Sequence, residues 1–190
     1  MAGRKGDVVV DTDEQPGRSD IAKVPSLKPA FRKENGTITA ASSSSISDGA
    51  AAVVLLSADD AKARGLQPLA RIVAHATHSQ EPEWFTTAPV SAIQKVLDKA
   101  GWKVDDVDLF EVNEAFAVVA MAPMRELGIP HAKLNVNGGA CALGHPIGAS
   151  GTRLVVTLLN ALQTRGLKRG VASLCIGGGE ATAIAVELLG

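Results

Sequence analysis

Two short glycine-rich stretches hold the side chains with the clearest chemical potential in this chain. His145 lies within residues 135–151, which read NVNGGACALGHPIGASG. Cys175 opens the stretch CIGGGE at residues 175–180, at the end of an apolar run. Histidine transfers protons near neutral pH, and cysteine acts as a proton carrier or as a nucleophile. The two residues therefore indicate thiol and acid–base chemistry on a carbonyl compound.

The glycines around His145 predict a tight turn that opens a helix. Glycine permits positive φ angles and a close approach of the backbone to a ligand, and a helix start offers free N–H groups. The alternative is a structural histidine in a tight strand-to-helix connection. A phosphate-binding loop is excluded, because His145 stands where such a loop carries lysine. Residues 177–179 are not a dinucleotide fingerprint, because they lead into a strand rather than a helix.

The two cysteines and Asn113 can each be given a structural interpretation, and for Cys175 and Asn113 a functional one is also possible. Free cysteines are usually small buried apolar residues, and Cys141 fits that description. For Cys175, the glycines that follow predict an exposed strand end, which suits a reactive thiol. Asn113 falls between a predicted strand and a predicted helix. It is there either a helix N-cap or a ligand for a water molecule or a carbonyl oxygen.

The scaffold that must position these residues alternates strands with helices. The predicted strands are 51–56, 69–77, 107–112, 133–136, 170–175 and 181–188. The predicted helices begin after Ser57 and at Pro89 and cover residues 116–127 and 153–164. Glycines at 65, 101 and 128 end the first three of these helices. This alternation predicts an α/β fold with a mixed sheet, and residues 1–46 are predicted to be loop-rich.

Composition narrows the possible functions. The chain has 190 residues, 46% of them hydrophobic and 21% charged, with a net charge of −1. This balance favours neither nucleic acid nor a membrane surface as a partner. The two cysteines cannot build a disulfide framework or a cysteine-based zinc site, so we expect no metal and a reducing, cytoplasmic location.

The motifs in their order resemble those of one enzyme family. Residues 113–116 (NEAF), the stretch around His145 and the CIGGGE stretch are similar to the C-terminal half of a thiolase of the acetyl-CoA acetyltransferase group. GRKGDVVVDTDE, LKPAF, SDGAAAVVLLS and KAGW also resemble thiolase segments, so the similarity extends from Gly3 to Gly190. The resemblance implies a thiolase-like fold, in which this half forms part of a layered α-β-α-β-α arrangement. Residues 1–46 would be the tail of the thiolase loop region with a CoA-contact segment, and residues 47–190 the C-terminal domain.

The resemblance also implies an activity and residue roles. Thiolases condense two acetyl-CoA to acetoacetyl-CoA and CoA, or cleave a 3-ketoacyl-CoA with CoA, and use no cofactor beyond these thioesters. His145 would activate the nucleophilic cysteine and help to bind a thioester oxygen, and Asn113 would hold the water that completes that oxyanion site. Cys175 would move a proton at the α-carbon of the second acyl group, and the N–H of Gly177 would line a second oxyanion hole. The residues that match contacts to the pantetheine arm or acyl group are Ser44, Phe31, Phe85 and Phe116.

The chain departs from the thiolase pattern at three places. Ser42–Ser45 replaces an Asn-Ala-Ser-Gly type of turn, which keeps a hydroxyl at Ser44. Phe85 stands where acetoacetyl-specific members often carry methionine, so the acyl-chain preference stays open. Cys141 replaces an aliphatic residue, which we interpret as packing.

One part of the thiolase machinery has no match in the sequence. Thiolases carry the acylated cysteine in their first half, and the chain's two cysteines are already placed elsewhere. We therefore expect a fragment, a split gene product or a truncated gene that needs an N-terminal half as partner and forms a homo-oligomer when complete. Alone, it would expose a broad apolar face. The alternatives are a noncatalytic thiolase-fold module that binds acyl-CoA or acts as an assembly scaffold, and a nucleotide-binding domain, which the missing phosphate loop disfavours.

Overall fold

The computed structural model describes residues 2–3, 6–7 and 9–190. The strands are β1 (Ala2–Gly3), β2 (Gly6–Asp7), β3 (Ala70–Ser79), β4 (Leu109–Val112), β5 (Arg169–Ile176) and β6 (Glu180–Leu188). The α-helices are α1 (Glu14–Arg18), α2 (Ala58–Ala63), α3 (Ala88–Ala100), α4 (Ala117–Leu127), α5 (Ala140–Leu143) and α6 (Ser150–Arg165). Short 3-10 helices cover Ile21–Ser26, Ala40–Ser42, Pro82–Thr87, Val104–Asp106 and His131–Lys133.

The main sheet has four strands in the order β3-β6-β5-β4. The β3–β6 and β6–β5 pairs are antiparallel, whereas β5 and β4 run parallel from Leu109↔Gly170 to Val112↔Ser173. A parallel pair requires a long crossover connection, and here the crossover contains α4, α5 and α6. The mixed sheet with helices confirms the predicted α/β class.

Helices cover both faces of this sheet. On one face, α3 and α4 pack against a core that includes Phe110 and Val171. On the other face, α6 buries Leu154, Leu158 and Leu162 against β4, β5 and β6. Fully burying each leucine contributes roughly 1.5–3 kcal/mol, so α6 is anchored along its length. This anchoring matters for function, because the predicted histidine turn leads directly into α6.

Close packing of α6 depends on one glycine of β5. A side chain added at Gly170 would come within 2.8 Å of the Leu158 side chain. Glycine at this position therefore lets the helix approach the sheet. The helix ends at Gly166, which has the left-handed φ of 65° that commonly terminates helices.

Two predicted strands are absent from the structure. Residues 51–56 form no strand, and Val54 and Leu55 are 89% and 69% exposed. No strand of the described chain pairs with them, and a strand forms only where a neighbouring strand supplies its ladder of hydrogen bonds. Residues 133–136 make only a single bridge, from Leu134 to Phe110, because a 3-10 helix at His131–Lys133 occupies the start of the segment.

The first part of the chain is largely irregular, as predicted. Between residues 9 and 57 it contains only α1 and two short 3-10 helices. The proposed division after residue 46 stays a prediction, and residues 1, 4, 5 and 8 of that segment lie outside the described part. Among the described residues, no helix combines the length and apolar character needed to cross a membrane.

Candidate active site

His145 is fixed by the backbone on both sides of it. Gly144 has a φ of 86°, and a side chain there would overlap the hydroxyl of Ser47, so glycine is required. The His145 N–H donates to the carbonyl oxygen of Ser45 at 2.9 Å. The imidazole therefore leaves the turn in one direction, towards the end of β4.

Hydrogen bonds to both ring nitrogens assign the proton of the imidazole. Nδ2 of Asn113 lies 3.2 Å from Nε2 of His145, and an amide nitrogen can only donate, so Nε2 accepts. The proton is then on Nδ1, which donates to Oγ of Ser150 at 2.6 Å. The Ser150 hydroxyl passes its own hydrogen to the carbonyl oxygen of Pro146 at 3.0 Å. His145 is thus a neutral imidazole with its proton on Nδ1 and its basic lone pair on Nε2.

The electrostatic surroundings favour this neutral form. Burial lowers the pKa of His145, and the positive charge of Arg153 lowers it further. Ser150 is fully buried at the first residue of α6, and its role was not predicted from the sequence. Its position five residues after the histidine, at a helix start, is the signal that could have suggested it.

Asn113 is a site residue rather than a helix cap. Helix α4 begins at Ala117 with Phe116 as N-cap, so the capping interpretation is wrong. Asn113 is fully buried, its N–H donates to the carbonyl oxygen of Ser173 at 2.9 Å, and its Nδ2 faces His145. Its Oδ1 has no hydrogen-bond partner among the described residues. Buried polar atoms are rarely left unpaired, so Oδ1 is suited to hold a water molecule or a ligand donor.

Glu114 holds the glycine-rich turn against the end of β4. Its carboxylate accepts hydrogen bonds from Nδ2 of Asn135 at 3.0 Å and from the N–H of Cys141 at 3.1 Å. A side chain at Gly139 would overlap that carboxylate. Burial and then Glu114 raise the pKa of Cys141 to about 11, which agrees with a packing role for this thiol.

Cys175 lies near the end of β5 in the core on the α3 face. It is 8% exposed, so the expectation of an exposed thiol is wrong, and burial raises its pKa. The exposed residues at this strand end are Ile176, Gly177 and Gly178, and the last two lie in the turn between β5 and β6. Val112 and Ser173 form the last pair of the parallel strands β4 and β5. Asn113 and Cys175 come one and two residues after that pair, so both lie at the same end of these strands. No hydrogen bond joins Cys175 to His145 in the part of the chain that the structure describes.

The predicted CoA-contact residues form a second group beside the histidine. Phe116 contacts Phe31 edge-on, with ring centroids 5.4 Å apart, and Phe85 at 6.2 Å. Oγ of Ser44 donates to the carbonyl oxygen of Ala115 at 3.1 Å. The segment from Ser43 to Ile46 forms bridges with both Phe116 and His145. This segment therefore joins the aromatic group to the imidazole.

An open groove of about 400 Å³ runs next to His145. It is lined by residues 47–51 on one side and residues 146–149 on the other. The described residues contain no cluster of three or more histidine, cysteine or acidic side chains arranged to hold a metal ion. The hydrogen bonds of His145 and the raised pKa of Cys175 mean that the site can offer a neutral base, an amide and a protonated thiol to a substrate.

Comparison with known proteins identifies the sequence family. The family model of the thiolase C-terminal domain matches residues 66–188, and that of the thiolase N-terminal domain matches residues 1–59. A probable acetyl-CoA acetyltransferase of Dictyostelium discoideum is 54% identical over 190 residues, which are 100% of this chain and 46% of that protein.

Solved structures have the same fold. The acetyl-CoA acetyltransferase of Bacillus anthracis superposes with a TM-score of 0.90 at 46% identity, covering 100% of this chain and 48% of that one. Human mitochondrial 3-ketoacyl-CoA thiolase in complex with CoA gives a TM-score of 0.82 at 39% identity, covering 91% and 44%. The chain thus spans about half the length of the relatives it matches.

Proposed function

Because this chain belongs to the thiolase family, we propose that it supplies one part of an acyl-CoA acyltransferase site. The reaction is the reversible condensation of two acetyl-CoA, or the thiolysis of a 3-ketoacyl-CoA. The observation that carries the proposal is the His145–Asn113 contact of 3.2 Å, which leaves Nε2 as the basic nitrogen. The acylated cysteine comes from an N-terminal half, and its thiol gives its proton to Nε2.

Asn113 and His145 also stabilise charge on a thioester oxygen. The buried Oδ1 of Asn113 holds a water molecule, and that water and the protonated ring donate to the oxyanion. Removing one such donor typically slows acyl transfer by about 10²–10³-fold. Gly177 supplies a donor to a second oxyanion from the exposed turn after β5.

Cys175 acts as the acid in the cleavage direction. A buried thiol with a raised pKa rests in its protonated form. Thiolysis breaks the bond between the α-carbon and the β-carbonyl carbon and leaves a carbanion at the α-carbon. The Sγ–H of Cys175 protonates that carbon, and the resulting thiolate recovers a proton from the incoming CoA thiol. In the condensation direction the same sulfur removes the proton.

CoA and its acyl chain are bound by the aromatic group and Ser44, and no other cofactor takes part. The human mitochondrial 3-ketoacyl-CoA thiolase was solved in complex with CoA, which supports this class of substrate. The partner of this chain is an N-terminal thiolase half, and the complete enzyme is a homo-oligomer in the cytoplasm. The half-length match and the exposed residues 53–56 support a missing partner, whereas the oligomer and the location stay predictions.

A chimera tests the proposal most directly. The N-terminal half of the Dictyostelium discoideum relative is fused ahead of this chain, and acetoacetyl-CoA thiolysis is measured against this chain alone. We expect turnover in the chimera only, and a loss of about 10²–10⁴-fold in His145→Ala, as for a positioned base. The matched control is His131→Ala, which changes an exposed histidine away from the site.

Two results would count against catalysis. An inactive chimera that still binds acetyl-CoA in calorimetry would instead support a noncatalytic acyl-CoA module. An active chimera whose rate does not change in His145→Ala would remove His145 from the mechanism.

A further inference from the structure

A buried charge pair lies behind the candidate site, and the proposed reaction does not use it. Glu111 on β4 is 1% exposed, and Oε2 of its carboxylate lies 3.7 Å from Nη1 of Arg153. The side chain of Arg153, on α6, is 19% exposed. Both carboxylate oxygens and both terminal guanidinium nitrogens are buried without a hydrogen-bond partner among the described residues.

The two elements that carry this pair also carry the histidine contacts. Glu111 and Asn113 are two positions apart at the end of β4, so their side chains lie on the same side of the strand. Ser150 and Arg153 are three positions apart on the first turn of α6, so they share a helix face. The charge pair and the Asn113–His145–Ser150 chain therefore join the same strand end to the same helix start.

Stability alone does not account for such a pair. Removing two charges from water is costly, and apolar replacements of a buried ion pair are often neutral or stabilising. Burial raises the pKa of Glu111 to about 7 even though Arg153 acts to lower it. A group this poorly solvated, placed next to the site, is expected to serve the geometry and charge of that site.

We propose that Glu111 and Arg153 are positioning residues for His145. The pair fixes the first turn of α6 against the end of β4, and it places a positive charge behind the imidazole. The other ionisable groups on the packed elements are Glu114 after β4, Asp48 on the segment after Ile46, and the thiols of Cys141 and Cys175, together with Arg165 at the last residue of α6 and Arg169 at the first residue of β5. The importance of the pair for catalysis rests on the proposed function, in which His145 is the base.

The test follows His145 itself in this chain, by NMR titration of histidine labelled with ¹³C and ¹⁵N. The chain has four histidines, and a His145→Gln variant assigns the signal. Arg153→Met removes the charge, and Arg153→Lys keeps it. Glu111→Gln keeps the shape of the carboxylate and the Arg153 charge. The double variant Glu111→Leu/Arg153→Met replaces the whole pair with apolar groups, and urea unfolding of each variant measures its stability.

The proposal expects the His145 titration to follow the Arg153 charge and not the stability. Arg153→Met moves the His145 midpoint to higher pH, and the double variant gives a midpoint above that of Glu111→Gln, even where the double variant unfolds at the same urea concentration as the original chain. Arg153→Lys and Glu111→Gln leave the midpoint at or below its original value. A folded double variant whose midpoint is no higher than that of Glu111→Gln overturns the proposal, as do midpoints that follow stability across all four variants.

This readout is separate from the proposed function. If the chimera fails to turn over acetoacetyl-CoA but the His145 midpoint still follows the Arg153 charge, the positioning role stands and the catalytic assignment falls. If the chimera is active and the His145 midpoint does not change when Arg153 is replaced, the catalytic assignment stands and the positioning role falls.

Discussion

Asn113 and Ser150 contact opposite nitrogens of the His145 ring, at 3.2 Å and 2.6 Å. The two contacts have different chemical consequences. Asn113 faces the lone pair that accepts a proton, whereas Ser150 holds the proton that must stay on Nδ1. Because the Ser150 hydroxyl donates its single hydrogen to the carbonyl oxygen of Pro146, its oxygen accepts the proton that Nδ1 offers.

Replacing Ser150 with alanine should therefore allow the neutral His145 ring to carry its proton on either nitrogen. Nδ1 of His145 loses its hydrogen-bond partner, whereas the Pro146 carbonyl keeps the backbone N–H groups of residues 149 and 150, so the free energy of unfolding should fall by about 1–3 kcal/mol. Imidazole ¹⁵N shifts should report a mixture of tautomers at pH 8. The control is Thr164→Ala on the same helix, whose hydroxyl also bonds a carbonyl one turn earlier, at 2.9 Å. Unchanged ¹⁵N shifts in Ser150→Ala would contradict the assigned proton.

The thiol of Cys175 should react slowly with alkylating reagents. Burial raises its pKa, and only the thiolate is nucleophilic, so its reaction should reach half its maximum rate above the ordinary thiol value of about 8.5. A Cys141→Ala variant leaves Cys175 as the single thiol and keeps the backbone contact from residue 141 to Glu114. Iodoacetamide labelling followed by mass spectrometry across pH 7–11 measures the midpoint.

The unfolded chain provides the reference for this midpoint. In urea the same thiol should titrate at the ordinary value. Folded Cys175 that reacts at pH 7 as fast as it does in urea would show that the thiol is neither buried nor proton-bearing.

Among the elements, residues 51–56 differ most from their predicted state. Val53, Val54, Leu55 and Leu56 are between 42% and 89% exposed and belong to no helix or strand. They fall within residues 1–59, which match the thiolase N-terminal domain, whereas the described sheet belongs to the part that matches the C-terminal domain. We therefore expect the segment to become a strand only beside the other half.

Hydrogen exchange can detect this change. In the chain alone, the amides of residues 53–56 should exchange at nearly the unprotected rate, whereas those of the paired strand β5 should be slow. When the N-terminal half of the Dictyostelium discoideum relative is present, residues 53–56 should become protected and β5 should change little. Protection in the chain alone, or none in the complex, would show that the strand prediction fails in both contexts.

Local sequence signals were sufficient to predict most of the helices and strands. The apolar stripe of α6 and the glycine that ends α3, with a φ of 68°, predicted both helices to within three residues. Strands β5 and β6 pair within the chain, and their predicted ranges are confirmed. The strand predicted at residues 133–136 was wrong, because the pattern of apolar residues does not show whether a neighbouring strand is present.

The site was predictable only where chemistry is visible in single residues. Histidine and cysteine among glycines directed attention to His145 and Cys175. The contacts of Ser150 and of the Glu111–Arg153 pair join residues from different elements, and no local pattern encodes such pairings. The buried state of Cys175 was missed because the helices that cover it lie far away in the sequence.

For the molecule as a whole, the exposed apolar surface is unusually extensive. Ile147, which lines the groove next to His145, is 70% exposed, and Ile46 is 90% exposed. Residues 53–56 add a second exposed apolar segment. Surfaces of this kind mark interaction sites or cause aggregation.

The chain alone should therefore self-associate. Static light scattering should give a mass above the 19.5 kDa of one chain, rising with concentration. A Val54→Lys/Leu55→Glu variant should lower the mass towards one chain, because it adds charge to the exposed segment. The control Lys62→Glu changes charge on exposed α2 and should have no effect. A monodisperse species of 19.5 kDa at all concentrations would contradict the expectation.

The parallel pairing of β4 with β5 has a consequence for the order of folding. Leu109 pairs with Gly170, so this pairing closes a loop of roughly 60 residues, and contacts that close long loops form slowly. Asn113 and His145 both lie inside that loop, whereas the β5–β6 hairpin needs only the short turn at residues 177–179. We therefore expect the β5–β6 hairpin to form early. The contact between the His145 ring and the Asn113 amide should form among the last events of the folding reaction.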